Sequence, residues 1–277
     1  MGDDIFPSAL TIAGSDSGGG AGLQADLRSF SAFGVYGTSV ITAVTSQNPE
    51  EVRRVDILPP EAVQAQMESV LDVIPVKFGK TGMLPNREIV EKVALLAEKY
   101  SLSLVVDPVM VSTSGASLME SSAISVMQEK LCPLAEFLTP NIPEAELICG
   151  RKLAAWEDLA EAALFLRNRY GCNILLKSGH SIFSDTVTDY VCYEGKVFAL
   201  SSPAVKVHGH TAHGTGCTLS AALTANLAKG KNWKQALLAA KAFVYGSLKE
   251  SRKIGENLFQ MYPPGENDLN KMELKEL

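Results

Sequence analysis

The sequence predicts an α/β fold with a mostly parallel central sheet. Short apolar runs alternate along the chain with amphipathic helical patterns, which is typical of βαβ units. The chain has 277 residues, of which 46% are hydrophobic and 20% are charged, a composition that suits one large packed domain. Because the sequence has no evident linker or repeat, we predict a single domain over residues 1–262 and a loosely held polar tail over residues 263–277.

The predicted strands are short runs of mainly apolar residues. In chain order they cover residues 9–13, 39–45, 76–80, 102–107, 137–139 and 173–177, with a more polar pair at 189–192 and 196–200. The predicted helices have apolar residues at helical spacing and cover residues 60–73, 87–100, 156–170, 218–227 and 233–248.

The net charge and the N-terminal sequence argue against nucleic acid and membranes as partners. The net charge is −6 with both signs interspersed, so no basic face is offered to nucleic acid or to an anionic membrane. Residues 1–7 carry two aspartates and no basic residue, unlike a signal peptide, and no apolar run is long enough to span a bilayer. Five widely spaced cysteines, without a Cys-x-x-Cys pair, argue against disulfides and thiolate zinc sites. We therefore expect a cytoplasmic protein.

A glycine-rich turn over residues 212–217 runs directly into the predicted helix at 218–227. Glycines let the backbone approach an anion closely, and the first turn of a helix leaves N–H donors that point toward it. Cys217 stands at this helix start, where the helix dipole favours a thiolate that accepts a proton or attacks. The alternative is a structural turn in which Cys217 is a small buried hydrophobic residue.

Several predicted strands end in residues suited to phosphate or metal chemistry. Ligands of open α/β sheets bind beyond the carboxyl ends of parallel strands, so these residues are expected to converge. Asp107 and Glu144 offer the hard oxygen ligands that magnesium prefers, Asn141 is placed to position a phosphate, and Lys177 supplies a point charge for a phosphate chain. The alternative for each residue is a solvated strand end.

Three other motifs are considered and disfavoured. Gly79-Lys80-Thr81 imitates the end of a Walker A loop, but Ile74 stands where that loop needs glycine. The segment 20–25 matches a dinucleotide fingerprint without the acidic ribose partner about twenty residues later, so a Rossmann oxidoreductase is less favoured. His208, His210 and His213 have the spacing of a zinc chelate but no carboxylate among them, which leaves a metallohydrolase as a minor alternative.

The motifs together resemble the hydroxymethylpyrimidine/phosphomethylpyrimidine kinases of thiamine biosynthesis, in the ribokinase-like superfamily. The resemblance covers about residues 8–250 and rests on these segments: 10–16 with the glycine run that follows, 24–27, 34–37, 40–43, 80–84, 107–111, 139–145 and 213–220. It implies a three-layer αβα domain that uses ATP and Mg²⁺ and phosphorylates the pyrimidine hydroxymethyl group and then the monophosphate. It also implies a homodimer. Pyridoxal kinase, of the same branch, is the alternative activity.

The resemblance also implies roles for individual residues. It places the pyrimidine ring against Gly14, Ala21, Asp26, Gln47, Met83 and Val109. It assigns the transferring phosphoryl group to Gly214, Thr215 and Gly216, and the hydroxyl proton to Cys217. It assigns ATP and magnesium to Asn141, Lys177, Thr211, Asp107 and Glu144. Two departures are Thr113, where many members have lysine, and the segment 254–258, which lacks the family's usual closing motif.

Overall fold

The computed structural model describes residues 5–110, 118–179, 185–206 and 213–277. The strands in these ranges are β1 (Ser8–Asp16), β2 (Tyr36–Gln47), β3 (Val52–Ile57), β4 (Phe78–Thr81), β5 (Ser103–Val106), β6 (Ala135–Leu138), β7 (Asn173–Leu176), β8 (Thr186–Tyr193), β9 (Lys196–Pro203), β10 (Arg252–Lys253), β11 (Phe259–Gln260) and β12 (Glu273–Glu276). The α-helices are α1 (Gly22–Ala32), α2 (Pro60–Leu71), α3 (Arg87–Lys99), α4 (Ser121–Val126), α5 (Ile142–Cys149), α6 (Trp156–Tyr170), α7 (Thr215–Ala228) and α8 (Trp233–Lys249).

The main sheet has ten strands in the order β12-β9-β8-β7-β6-β5-β4-β1-β2-β3. Its middle six strands, from β2 to β7, are parallel, whereas β3 at one edge and β8, β9 and β12 at the other pair antiparallel. The parallel strands all end on the same edge of the sheet, which is where ligands of such folds bind. The predicted α/β class with a mostly parallel sheet is therefore confirmed.

Helices cover both faces of the sheet and form two separate hydrophobic cores. One core packs α2, α3, α4 and α6 against side chains such as Leu10 and Leu104. The other packs α1, α7 and α8 against the opposite side chains, such as Ala9 and Val105. Because side chains alternate between the faces of a strand, neighbouring residues of β1 and β5 enter different cores. The expected three-layer αβα arrangement is confirmed.

The central helix α7 explains how the sequence holds the glycine turn in place. Residues 218–227 of α7 are all buried, as expected for a helix between the sheet and a second helix. Such burial fixes the start of α7 against the carboxyl ends of the strands. Helix α8, which packs beside it, begins at a conventional cap: Asn232 accepts a hydrogen bond from the Gln235 N–H at 3.0 Å.

The polar C-terminal segment differs from the expected loose tail. Strand β12 pairs with β9 through residues 273–276, and Leu277 donates its N–H to the Val197 carbonyl at 2.9 Å. Lys249 also bonds Asp268 at 2.7 Å. The polar residues of β12 fit an edge strand, whose outer side faces solvent. In the described ranges no helix has the length and apolar character that a membrane crossing requires.

Candidate active site

A cavity of about 880 Å³ opens at the carboxyl ends of the parallel strands. Residues that end or follow β1, β4, β5 and β7 line it, among them Ser15, Gly82, Asp107 and Lys177. The predicted convergence of these strand ends is therefore confirmed. The volume lies within the usual range for sites that bind small molecules and cofactors.

The structure brings most of the predicted site residues into this one cavity. Its lining includes Gly14, Ala21, Gln47, Met83, Asp107, Val109, Asn141, Glu144, Lys177, Gly214, Thr215, Gly216 and Cys217. Asp26 does not line it, and Thr211 lies outside the described residues. Lys177 and Asp107 lie beside the glycine turn, at what we call the charged end of the cavity. We call the part lined by Met83, Val109 and Gln47 the apolar end, although Thr45 and His213 are polar neighbours of Gln47 there.

The glycine turn begins α7 at the charged end of the cavity. Gly214 has φ of +84°, and a Cβ at this position would lie 1.9 Å from the Gly20 carbonyl oxygen. A Cβ on Gly216 would lie 3.3 Å from the Lys177 ammonium nitrogen. The absence of side chains therefore lets the turn meet both the loop after β1 and the lysine, and an anion bound there would face backbone N–H groups and a cation together.

Cys217 lies in the first turn of α7, and its pKa differs from the expectation. Burial raises the pKa of the thiol above its usual value, against the opposing effect of the Lys80 charge. The expected thiolate-favouring environment at the helix start is wrong for the protein without its ligands, because loss of solvent outweighs the nearby positive charge. Cys217 is therefore a protonated thiol at neutral pH.

Asp107 and Lys177 form a buried ion pair, with 2.7 Å between the Lys177 Nζ and Asp107 Oδ1 atoms. Ser220 on α7 donates a hydrogen bond to the other carboxylate oxygen of Asp107 at 3.2 Å. Burial alone would raise the pKa of Asp107, but Lys177 and Lys80 outweigh it and hold that pKa below its usual value. Asp107 is therefore an ionised carboxylate at neutral pH.

Glu144 and Asn141 are also joined at the start of α5. The Asn141 N–H donates to Glu144 Oε2 at 2.8 Å, and the Glu144 N–H donates to Asn141 Oδ1 at 2.9 Å, which is a capping box. Burial raises the pKa of Glu144 to about 7, although Lys177 opposes the shift. Both side chains thus have a structural function at the helix start while they line the cavity.

Asp26 is placed differently from the expected contact with a ring. Its carboxylate is fully buried and accepts hydrogen bonds from the Lys80 ammonium at 2.9 and 3.1 Å and from the Thr11 hydroxyl at 2.6 Å. Because the Lys80 ammonium donates to both carboxylate oxygens of Asp26, Asp26 positions Lys80 and does not contact a ligand itself. The expectation that Asp26 itself binds substrate is corrected accordingly.

Sequence reasoning assigned no role in the site to three lysines of the lining, Lys80, Lys206 and Lys241. Lys80 was interpreted only as part of a segment that imitates a Walker A loop. Lys241 was passed over because the residues around it in α8 are apolar. Lys241 pairs with Asp189 on β8 at 2.6 Å, and both are buried. A lysine inside an otherwise apolar helix stripe is the signal that would have identified Lys241, since buried lysines are nearly always paired.

Histidine contributes to the site through one residue of the predicted cluster. His213 Nε2 lies 3.3 Å from Gln47 Nε2 and 3.4 Å from Asp16 Oδ2. His208 and His210 lie outside the described residues. Among the residues that are described, no group of three or more histidine, cysteine, aspartate or glutamate side chains is arranged to hold a metal by itself.

Comparison with known proteins places the chain in a family. Residues 16–261 match the family model described as phosphomethylpyrimidine kinase. The hydroxymethylpyrimidine/phosphomethylpyrimidine kinase of Haemophilus influenzae is 45% identical over 251 residues, which cover 89% of this chain and 93% of that protein. The kinase of the same name from Rhizobium meliloti is 43% identical and covers 89% of this chain and 92% of its own.

Solved structures agree with this assignment. Pyridoxal kinase from Staphylococcus aureus in complex with ADP has a TM-score of 0.88 and 32% identity, covering 99% of this chain and 100% of that one. Phosphomethylpyrimidine kinase from Clostridium difficile 630 has a TM-score of 0.75 and 38% identity, covering 86% of this chain and 97% of that one. The chain therefore belongs to the phosphomethylpyrimidine kinase family and is a phosphotransferase.

Proposed function

We propose that this chain uses ATP to phosphorylate the hydroxymethyl group of 4-amino-5-hydroxymethyl-2-methylpyrimidine and then the resulting monophosphate, in thiamine biosynthesis. Relatives at 40–45% identity carry the name of this kinase. The observation that carries the proposal is a single cavity that holds the apolar side chains of Met83 and Val109 and the Gln47 carboxamide together with the glycine turn and the Lys177 ammonium. A flat heteroaromatic alcohol suits the apolar end and a phosphate chain suits the charged end.

The acceptor ring would bind at the apolar end. Met83 and Val109 would supply its walls, and Gln47 would pair with the aminopyrimidine edge through its carboxamide. Gly14 leaves room for the ring, since a Cβ there would lie 3.1 Å from the Met83 sulfur. Ala21 would close the same end with a small side chain.

The phosphoryl group would be transferred at the glycine turn. The N–H groups of residues 214–217 would hold it as negative charge develops, and Lys177 would neutralise part of that charge. Cys217 would take the proton from the attacking hydroxyl. Its raised pKa makes the thiolate a stronger base toward that proton, while the ionised fraction at neutral pH stays small.

The charged end also fits a magnesium ion. Asp107 and Glu144 offer carboxylate oxygens, and the raised pKa of Glu144 shows a buried carboxylate short of compensating positive charge. Bound there, the ion would neutralise charge on the phosphates of ATP. Asn141 and Lys177 would hold the same phosphates, as would Thr211, whose role remains a prediction from the resemblance.

The test is an ADP-release assay with the purified chain and three acceptors: the hydroxymethylpyrimidine, its monophosphate and pyridoxal. We expect turnover of both pyrimidines, with kcat/KM for the pyrimidine alcohol at least tenfold above that for pyridoxal, because polar pairing at Gln47 discriminates where the apolar walls do not. Gln47→Leu should remove most of this preference. Absence of turnover with either pyrimidine would contradict the proposal.

Pyridoxal kinase is the second candidate activity. Pyridoxal kinases of Staphylococcus aureus match nearly the whole chain with TM-scores of 0.85 to 0.88, higher than the 0.75 of the phosphomethylpyrimidine kinase structure. Sequence identity favours the pyrimidine, at 38% for that structure against 30% to 32% for the pyridoxal kinases. Equal or greater turnover of pyridoxal in the same assay would select this alternative.

We further propose that residues 1–262 form the single catalytic domain and that the protein is a cytoplasmic homodimer. Every residue of the cavity lining precedes Lys249, which supports the first part. The dimer and the compartment rest on the family resemblance and on the acidic, non-basic sequence. Light scattering of the purified protein tests the dimer, and fractionation of the source cell tests the compartment.

A further inference from the structure

Two hydrogen bonds to Ser17 fix the backbone of Gln47, so the orientation of its side-chain carboxamide is the remaining question. The Ser17 hydroxyl donates to the Gln47 carbonyl at 2.7 Å, and the Gln47 N–H donates to the same hydroxyl oxygen at 2.8 Å. In the structure the carboxamide has Oε1 3.2 Å from the Thr45 hydroxyl oxygen and Nε2 3.3 Å from the His213 Nε2 atom, and donor and acceptor counting favours the reverse placement. Its oxygen and nitrogen exchange places by a half turn, so the neighbours decide which atom faces which side.

On the first side, the Thr45 hydroxyl requires a donor from Gln47. The Thr45 Oγ1 atom lies 2.9 Å from the Ser15 carbonyl oxygen and 3.2 Å from the Gln47 carboxamide. A hydroxyl has one hydrogen, and a carbonyl oxygen only accepts, so Thr45 donates to Ser15. Toward Gln47 the hydroxyl oxygen can then only accept, and the Gln47 atom that faces Thr45 must be the NH₂ group.

On the second side, Asp16 requires a donor from His213. The Asp16 carboxylate accepts N–H bonds from Gly18, Gly20 and Ala21 at 2.8 to 3.0 Å. Burial alone would raise the pKa of Asp16, but His213 and these backbone donors outweigh it and keep that pKa low. An ionised carboxylate only accepts, so the His213 Nε2 atom, 3.4 Å away, carries a hydrogen. This nitrogen has one hydrogen, so Asp16 and the Gln47 atom 3.3 Å away must share it in a three-centre bond. The Gln47 atom that shares this hydrogen must be the oxygen, because an NH₂ group cannot accept it.

Both neighbours therefore require the same orientation. We propose that His213 is a specificity-determining positioning residue: its Nε2–H, oriented by Asp16, holds the Gln47 carboxamide with Oε1 toward His213 and Nε2 toward Thr45. The four polar groups, Asp16, His213, Gln47 and Thr45, form one directional chain, and a half turn of the carboxamide would break it on both sides of Gln47. The imidazole itself is fixed by packing, since a Cβ on Gly20 would lie 2.6 Å from its Cδ2 atom.

The consequence for the ligand rests on the proposed function. A fixed carboxamide presents an acceptor on the His213 side and a donor on the Thr45 side. An aminopyrimidine complements this pair with its exocyclic amine and the adjacent ring nitrogen. The aldehyde oxygen of pyridoxal only accepts, so it is unpaired wherever it meets the acceptor side of the fixed carboxamide, whereas a freely turning carboxamide could bring its NH₂ group to that position.

The first test reads the hydrogen on His213 directly and needs no turnover. Nitrogen-15 NMR of the ligand-free protein distinguishes a protonated from an unprotonated Nε2, and loss of one of the four histidine signals in His213→Gln assigns the residue. We expect a hydrogen on Nε2 of the wild-type protein at neutral pH. An Nε2 atom without a hydrogen would overturn the proposal, whatever the substrate is.

The second test measures selectivity in three variants, as the ratio of kcat/KM for the hydroxymethylpyrimidine to that for pyridoxal. His213→Phe removes the donor and should lower this ratio at least threefold, whereas His213→Gln returns an N–H donor and should recover most of it. The matched control is Gln260→Leu. Gln260 donates to the His213 carbonyl at 3.3 Å, so this change loosens the same turn without touching the imidazole. Its ratio should stay at the wild-type value.

The outcomes separate the two proposals. The positioning role is overturned if His213→Phe has the wild-type selectivity ratio and the wild-type circular dichroism spectrum. An equal fall in His213→Phe and Gln260→Leu also overturns it, because general loosening of the turn then explains the change. Absence of pyrimidine turnover by the wild-type protein instead contradicts the proposed function, and the NMR result then decides the orientation on its own.

Discussion

Cys217 combines two properties that oppose each other: it stands at a helix start beside positive charge, and it lies half-buried in the cavity wall, where it is largely desolvated. Burial prevails and keeps the thiol protonated. We predict that Cys217→Ala lowers kcat roughly 100-fold or more while the affinity for ATP is nearly unchanged, because a general base contributes about this much. Steady-state kinetics and calorimetric ATP titration measure the two quantities. Cys149→Ala, which removes a half-buried cysteine outside the cavity, is the control and should retain full activity.

The raised pKa of Cys217 also predicts a pH profile. A general base acts in its deprotonated form, so a pKa above the usual value makes kcat increase as pH rises from 7 to 9. The same rise should be absent from the residual activity of Cys217→Ala. Rates measured across this range with saturating acceptor and ATP test the prediction. A flat wild-type profile, or an identical rise in both proteins, would assign the proton to another group.

Glu144 gives a second prediction at the scale of one residue. With a pKa of about 7, it is mostly protonated at pH 6 and mostly ionised at pH 8. Since only the carboxylate attracts a cation, the affinity for Mg²⁺ in the presence of a non-hydrolysable ATP analogue should increase roughly tenfold over this interval. Calorimetric titration measures it. In Glu144→Gln the increase due to this residue should vanish, while the ionisation of ATP itself affects both proteins equally. A wild-type affinity independent of pH would exclude Glu144 from the metal site.

At the scale of elements, the glycine turn that begins α7 depends on one backbone conformation. Gly214→Ala combines a positive φ with a Cβ 1.9 Å from the Gly20 carbonyl oxygen, so the turn must move. We predict at least a tenfold loss of kcat and a lower melting temperature. Gly230→Ala is the matched control because Gly230 also has positive φ, of +76°, but open space around it. It should cost about 1 kcal/mol of stability and no activity. Equal effects of the two changes would contradict the close approach.

The sequence predicted most elements from their apolar runs or stripes, and it missed β3 and α1 for two different reasons. Helix α6 covers residues 156–170 as expected, and each parallel strand except its exact ends was found. Strand β3 was missed because its sequence, Val-Arg-Arg-Val-Asp-Ile, is mostly exposed and charged, as suits an edge strand. Helix α1 was missed because its first residues were interpreted as a glycine-rich nucleotide fingerprint.

The site shows the same limit in a different form. Residue types at strand ends were sufficient to predict that Asp107, Glu144 and Lys177 converge, since the topology of a parallel sheet brings those ends together. Which charged side chains pair with each other in the folded protein was not predictable. Nothing local in the sequence indicates that Asp26 binds Lys80 across 54 positions or that Lys241 binds Asp189 across 52. Such pairs form through tertiary packing, which one sequence without its fold does not reveal.

At the scale of the whole molecule, the net charge does not show which charges line the cavity. The chain carries a net charge of −6, yet the cavity contains three buried lysines, Lys80, Lys177 and Lys241. Each is paired with an aspartate, at 2.6 to 2.9 Å. Pairing lets these lysines stay charged away from water, but each aspartate also offsets the charge of its lysine. A phosphate chain bound in the cavity would therefore depend on the N–H groups of the glycine turn as well as on Lys177.

The C-terminal segment gives the last prediction, because it joins the edge of the sheet to the rest of the molecule. Strand β12 covers β9, Leu274 packs against the core of α7 and α8, and Pro264 lies against Gly246. Removing residues 263–277 exposes the edge of β9 and this apolar surface, which costs about 2 kcal/mol. We expect a melting temperature lower by roughly 5 °C and faster aggregation through the open edge.

Catalysis by the truncated protein should persist below that temperature, with KM values for both substrates within twofold of the full chain, because the cavity is built by residues before 249. Scanning calorimetry and steady-state kinetics at 20 °C measure the two effects. Leu274→Ser is the smaller matched change, since it keeps the backbone pairing of β12 and removes one apolar contact, so it should give an intermediate melting temperature. An unchanged melting temperature in the truncated protein would show that β12 adds nothing to stability. A large rise in KM would show that the segment also shapes the site.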